Sequence, residues 1–202
     1  MNDDGKVFRN YERARLDSHY FICGRLLEQD MVCMVEDVRS VFTWAGTHIA
    51  DYIGDPSRRF VCGHSARGQL AALVAATDWS TGIGSLYADL IKGFVGISGV
   101  YDLRPIQAYF LNNIGFLDDA TVAGYGATQQ VPADRRWGLG TVEGAEFERQ
   151  SRTQAALWQT TGVNTAIEAM PDLDHATTIE QLHDPDSPLC ILMRELIFSS
   201  GD

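Results

Sequence analysis

No run of apolar residues in the chain approaches the roughly 20 needed to span a bilayer. A transmembrane segment is therefore not expected. No apolar stretch follows the acidic opening Met1-Asn2-Asp3-Asp4-Gly5, so no secretory signal peptide is expected either. Positive charge is scarce: Lys and Arg total 16 against 27 Asp and Glu, a formal net charge of −11. A surface of that sign disfavours nucleic acid and anionic membrane as partners, because both are polyanions. The four cysteines, Cys23, Cys33, Cys62 and Cys190, form no C-x-x-C pair. They read as reduced thiols of a cytoplasmic protein, with Cys62 in the core. No metal-ligand spacing occurs, and the run from Gly63 to Gly68 lacks the Lys of a phosphate-cradling loop. Neither a metal nor a cofactor is implied, and the partner expected is a small-molecule substrate.

What remains is an ordinary globular composition. The chain has 202 residues, 45% apolar and 21% charged, enough for one domain with a substantial core. Its most informative stretch is Phe60-Val61-Cys62-Gly63-His64-Ser65-Ala66-Arg67-Gly68, followed by Gln69-Leu70-Ala71-Ala72-Leu73-Val74-Ala75-Ala76. An apolar strand runs into Gly, then Ser, then a helix. A Ser on such a turn is thrown clear of the backbone with a helix N-terminus behind it. That is the nucleophile elbow, G-x-S-x-G, of α/β-hydrolases. Gly63 and Ser65 fit the pattern, and Arg67 stands in place of its last Gly.

The rest of the chain alternates helix and strand. Residues 7–29 read as a helix or arm. Val35, Val38, Phe42, Ala45, Ile49 and Tyr52 recur at helical spacing over Met34 to Tyr52, and Gly54-Asp55-Pro56 ends that helix. Gly93 to Ser98 reads as a second buried strand, Arg136 to Thr141 as a weak third and Thr165 to Met170 as a fourth. Residues 145–161 read as a helix with Phe147, Ala155 and Trp158 near one face, and Leu189 to Phe198 as a closing helix. Strands alternating with helices predict a parallel sheet covered on both faces, with chemistry at the carboxyl ends of the strands. The domain division expected is an N-terminal arm over residues 1–33 and an α/β-hydrolase domain over 34–202.

A serine hydroxyl needs a base, and the base needs an acid to orient it. In this fold the chain order is Ser, acid, His. Beyond the elbow only His175 and His183 follow Ser65. His175 comes directly after a strand, where the base belongs, and His183 reads as a surface residue. His64, beside the Ser, suits an oxyanion-side or structural role. Glu143 follows the third strand and is the first candidate for the acid; Asp102, after the second strand, is the rival. Glu146 reads as a helix-dipole carboxylate, and Asp172 and Asp174 as loop residues. The N–H of Ala66 is the expected oxyanion donor.

Gly63-His64-Ser65-Ala66, Ala76-Thr77-Asp78-Trp79, Ile97-Ser98-Gly99-Val100-Tyr101-Asp102-Leu103-Arg104-Pro105-Ile106, Glu146-Phe147-Glu148-Arg149-Gln150-Ser151 and Asp174-His175 resemble the kynurenine formamidases, or arylformamidases. These are esterase-like α/β-hydrolases. The opening run from Phe8 to Tyr20 is similar to the N-terminus of that family. The resemblance implies Ser65 as nucleophile, His175 as base and Glu143 at the acid position, where the family normally has Asp. It implies hydrolysis of N-formyl-L-kynurenine to kynurenine and formate, or of related aryl or short-chain esters. A generic carboxylesterase is the alternative that differs only in substrate.

Two departures set further expectations. The family carries a His-Gly-Gly run, whose N–H groups form half of the oxyanion hole, and this chain has none. On that resemblance the first strands of the sheet are missing and the fold is truncated. Phe60–Cys62 then becomes an edge strand open to association, which predicts oligomerisation as a homodimer or low solubility. An internally deleted, catalytically impaired paralogue with a binding or structural role is the corresponding alternative. Arg67, in turn, is expected to crowd the contact between elbow strand and helix.

Overall fold

Alternation of apolar side chains decides which strands are covered on one face and which on two. The computed structural model describes residues 31–81, 90–108, 117–129, 136–141, 144–170 and 172–199. Its four strands are β1 (Phe60–His64), β2 (Gly93–Ile97), β3 (Arg136–Thr141) and β4 (Asn164–Ala169), all parallel and in the order β1-β2-β3-β4. Cys62 is in register with Val95, and Val95 in turn with Gly138. Every residue of β2 is buried, as a strand covered on both faces requires. β1 is the outermost strand on its side among the described residues.

Seven helices accompany the sheet among the described residues: α1 (Met31–His48), α2 (Ala66–Ala76), α3 (Arg104–Gln107), α4 (Asp119–Tyr125), α5 (Gly144–Gln159), α6 (His175–Glu180) and α7 (Pro188–Ser199). α1 begins at Met31, three residues before the expected domain boundary, and a short 3-10 turn, Ile49–Tyr52, extends it. The remainder of the expected N-terminal arm lies outside the described residues. α2 packs on β1 and β2, α5 on β3 and β4, and α7 on β2 and β3. No helix among the described residues is long and apolar enough to cross a membrane.

Two main apolar cores follow from this layering, beside a small third cluster of Leu103, Leu117 and Val122. The larger joins Val35 of α1, Val61, Leu73, Val74, Phe94, Tyr101 and Trp158. Phe94 meets the Trp158 ring edge-on, centroids 5.5 Å apart. The smaller lies under α7, where Val95, Ile97, Met170, Leu189 and Leu196 cluster and Phe60 packs against them. Phe94 and Val95 point to opposite cores because side chains alternate along a strand.

Two expectations from the sequence are corrected here. Cys62 is exposed rather than buried. Val61 on one side of it is buried, and because side chains alternate along a strand the Cys62 thiol points to the other face of β1, the outermost strand on its side among the described residues. Tyr52, expected within the helix over Met34 to Tyr52, lies instead in the 3-10 turn that follows it, half exposed and against the Trp44 ring.

Leu73 is fully buried, whereas Val41 is 58% exposed. Leu73→Ala is expected to cost about 2–5 kcal/mol, and Val41→Ala less than about 0.5 kcal/mol. Urea denaturation of both variants measures the difference.

Candidate active site

Two hydrogen bonds and two close glycine contacts build the turn at Ser65. Its φ is 57° and ψ −126°, a conformation that L-residues rarely hold and that surrounding structure must enforce. Enforcement comes from hydrogen bonds. The Ser65 N–H donates to the Ile97 carbonyl at 2.9 Å, and the Ser65 carbonyl accepts from the Gly68 N–H at 2.9 Å. Close packing adds to it. A Cβ on Gly63 would collide with the Arg67 carbonyl, and one on Gly68 would come within 2.9 Å of the Gly99 Cα. The chain therefore goes from β1 through Ser65 straight into α2. The N–H of Ala66 falls in the first turn of α2, where N–H groups have no acceptor within the helix.

This geometry corrects the expectation for Arg67. Its side chain is exposed and does not crowd the strand–helix contact. Successive helix residues are about 100° apart, so the side facing the next strand turn is reached one residue later, at Gly68. The close approach depends on Gly63 and Gly68, not on position 67.

His175 arrives from the other end of the sheet. β4 ends at Ala169, and Asp172 turns the chain with φ 68°. Asp174 then caps α6: its carboxylate accepts from the N–H groups of Ala176 and Thr177, and the Thr177 hydroxyl accepts from the Asp174 N–H. Those bonds hold the Asp174 carboxyl below the usual carboxylate range. His175 is the first residue past the cap, and its Nε2 lies 2.9 Å from Ser65 Oγ. Two rings touch the imidazole: His64 at a centroid distance of 4.4 Å and Phe147 at 5.0 Å. His183 is exposed in the 3-10 turn Gln181–His183.

The acid position divides. Glu143 lies outside the described residues. Asp102, its rival, is committed elsewhere. Arg104 donates to both of its carboxylate oxygens, at 2.8 and 2.7 Å, and Arg149 stands 3.7 Å away. The Arg104 bonds, together with both guanidinium charges, hold the Asp102 carboxyl below the usual range against the opposing effect of burial. Asp102 thus serves the arginines and not His175. Its backbone N–H donates to Gln150 Oε1 at 2.8 Å, tying the loop after β2 to the first turns of α5. Glu146 accepts from Arg149 and from Gln150, which lowers its carboxyl to about 2. A cavity of about 270 Å³ opens beside this network, lined by Asp102, Leu103, Arg104, Val122, Gly126 and Thr128. It is separate from Ser65 and His175. Among the described residues no group of three or more His, Cys, Asp or Glu side chains is placed to hold a metal.

Sequence reading missed the part played by Phe147, taking it for a helix-face residue. The sequence offers only a partial signal: Gln150 and Gln154 stand three and seven residues after Phe147, on the same side of the helix, so that side is not purely apolar.

Because the Asp102 carboxyl is depressed, its contribution to stability is present above the ordinary carboxylate range, near pH 4, and fades as pH falls through its lowered value. Asp102→Asn is expected to lower Tm at neutral pH and to flatten the fall in Tm below about pH 4. A Tm-against-pH series on both proteins checks this.

No protein-family model matches the chain. It is 32% identical over 150 residues to a kynurenine formamidase of Salmo salar, covering 70% of this chain and 50% of that protein. It is 27% identical over 179 residues to the kynurenine formamidase of Danio rerio, covering 85% and 59% respectively. The chain thus spans between half and three-fifths of the curated relatives it matches. Among solved structures, the carboxylesterase EstE1 from a metagenomic library superposes with TM-score 0.65 at 19% identity, covering 87% of this chain and 66% of that one. An acetyl ester-xyloside bifunctional hydrolase from Caldicellulosiruptor lactoaceticus gives 0.66 at 16% identity, with 86% and 68% covered. An esterase from Pyrobaculum calidifontis gives 0.60 at 16%, with 86% and 61% covered. At these identities the solved structures speak for the fold, and the curated relatives for the sequence family. Together they make the chain a kynurenine-formamidase-like α/β-hydrolase.

Proposed function

We propose that this chain carries the Ser-His machinery of a serine hydrolase acting on N-formyl-L-kynurenine or a related aryl or short-chain ester. The observation that supports the reading is the 2.9 Å approach of His175 Nε2 to Ser65 Oγ on a strained strand-to-helix turn. In the tautomer where Nε2 accepts, the hydroxyl proton has somewhere to go.

The steps then follow. Ser65 Oγ attacks the formyl or acyl carbon while His175 Nε2 takes its proton. The carbonyl oxygen becomes an oxyanion, which the N–H of Ala66 faces at the head of α2. Collapse breaks the C–N or C–O bond, and His175 returns the proton to the departing amine or alcohol. Water, deprotonated by His175, then attacks the acyl-serine, releasing formate or another acid and restoring Ser65. Glu143 is the residue assigned to orient His175. Oxyanion donors are worth on the order of 10²–10³ in rate each. Because the sequence has no His-Gly-Gly run, a second reading is a hydrolase-fold protein with impaired turnover.

One experiment separates these. Rates on N-formylkynurenine and on a short-chain nitrophenyl ester are compared for the wild type and Ser65→Ala. The hydrolase reading expects Ser65→Ala to lose at least about 10³-fold, and expects a fluorophosphonate to label Ser65. Equal rates for the two proteins, with no labelling, would overturn it.

A further inference from the structure

A general base acts only when held within hydrogen-bond reach of its proton donor, and a misplacement of about 1 Å can cost roughly 10²-fold in rate. The cap at Asp174 fixes the His175 backbone, but a cap does not set the side-chain torsions of the residue after it. Besides the acid assigned to orient the imidazole, packing against it does that. Two rings supply it: His64 from the end of β1 and Phe147 from α5.

Phe147 is unusual among the aromatic residues of α5. Trp158, on the same helix, is fully buried in the larger core. Phe147 is half-buried and joins none of the three apolar clusters among the described residues. Its ring contact there is with His175, centroids 5.0 Å apart and planes inclined by 31°. That separation lies in the range of attractive aromatic pairs.

Phe147 is itself braced. On one side of it Glu146 accepts from Arg149 and Gln150. Three residues on, Gln150 accepts from the Asp102 N–H, and Arg149 reaches the Asp102 carboxylate. The start of α5 is thus pinned to the loop that leaves β2, next to the strand pair that carries Ser65. The loop after β2 thus braces the turn of α5 that carries Phe147, and the Phe147 ring lies against the imidazole.

We propose that Phe147 is a positioning residue that holds the His175 imidazole in the rotamer facing Ser65. The proposal rests on the serine-hydrolase reading for its catalytic consequence, though not for its geometry. The contact that carries the proposal is that of the Phe147 ring with the imidazole, so Phe147 acts through His175.

The test uses Phe147→Ala, Phe147→Leu and Phe147→Tyr beside the wild type and Ser65→Ala. Phe147→Ala is expected to lower kcat and the rate of fluorophosphonate labelling of Ser65 together, by about 10-fold or more, with KM within about twofold. Phe147→Tyr restores the ring and should recover both to within about threefold. The NMR signature is independent of turnover: cross-relaxation between the His175 and His64 rings should be lost in Phe147→Ala and retained in Phe147→Tyr. Should Phe147→Ala fail to fold, Phe147→Leu, which keeps bulk without the ring, takes its place. A wild-type labelling rate and intact ring-to-ring signals in the alanine or leucine variant would overturn the proposal. If the wild type matches Ser65→Ala in turnover and labelling, the hydrolase reading fails instead, and the ring-to-ring signals alone decide the role of Phe147.

Discussion

Everything at the candidate site depends on how closely α2 approaches the strands beneath it. Gly63 and Gly68 leave no room for a side chain: one faces the Arg67 carbonyl, the other the Gly99 backbone. That approach forces the chain to reverse within one residue. Ser65 absorbs the reversal at φ 57°, and the hydrogen bonds to Ile97 and Gly68 hold it there. Were the two elements an ångström or two further apart, Ser65 could relax to an ordinary turn. Its hydroxyl would then no longer stand clear of the backbone.

The second half of the site is assembled from a distance. Ser65 and His175 are 110 positions apart in the chain, and nothing local to either brings them together. Parallel pairing does so, by placing the carboxyl ends of all four strands, β1 and β4 included, at the same end of the sheet. Between them lie the exits of β2 and β3, and there the charges are arranged by competition. Asp102 has the right place in the chain order for a triad acid, yet Arg104, two residues away, takes both of its oxygens. A guanidinium two residues off reaches a carboxylate at little entropic cost. The same cluster then serves as a brace for α5.

How much of this could be read beforehand varied with how local the cause was. All four strands and the principal helices were legible, because period-2 and period-3.6 apolar patterns depend on neighbours only. Ser65 and His175 were legible through chain order and strand context. Cys62, Arg67 and Phe147 were not. The first was misjudged because alternation says which residues share a face but not whether a helix covers that face. The second was misjudged because a motif counts positions, whereas contact depends on which side of α2 each position turns to. The third was placed only near one face of its helix, because a helical stripe does not reveal what lies opposite it.

By itself the sequence determined the class of fold and the elbow, since both follow from residue type and short-range periodicity, and it singled out His175 by its place after a strand in the chain order. Tertiary structure alone decided that Gly68 makes the close approach, that Asp102 belongs to the arginines, and that Phe147 faces an imidazole. Those are questions of which side chain meets which across the sheet, and such meetings are set by strand order and register rather than by neighbours in the chain.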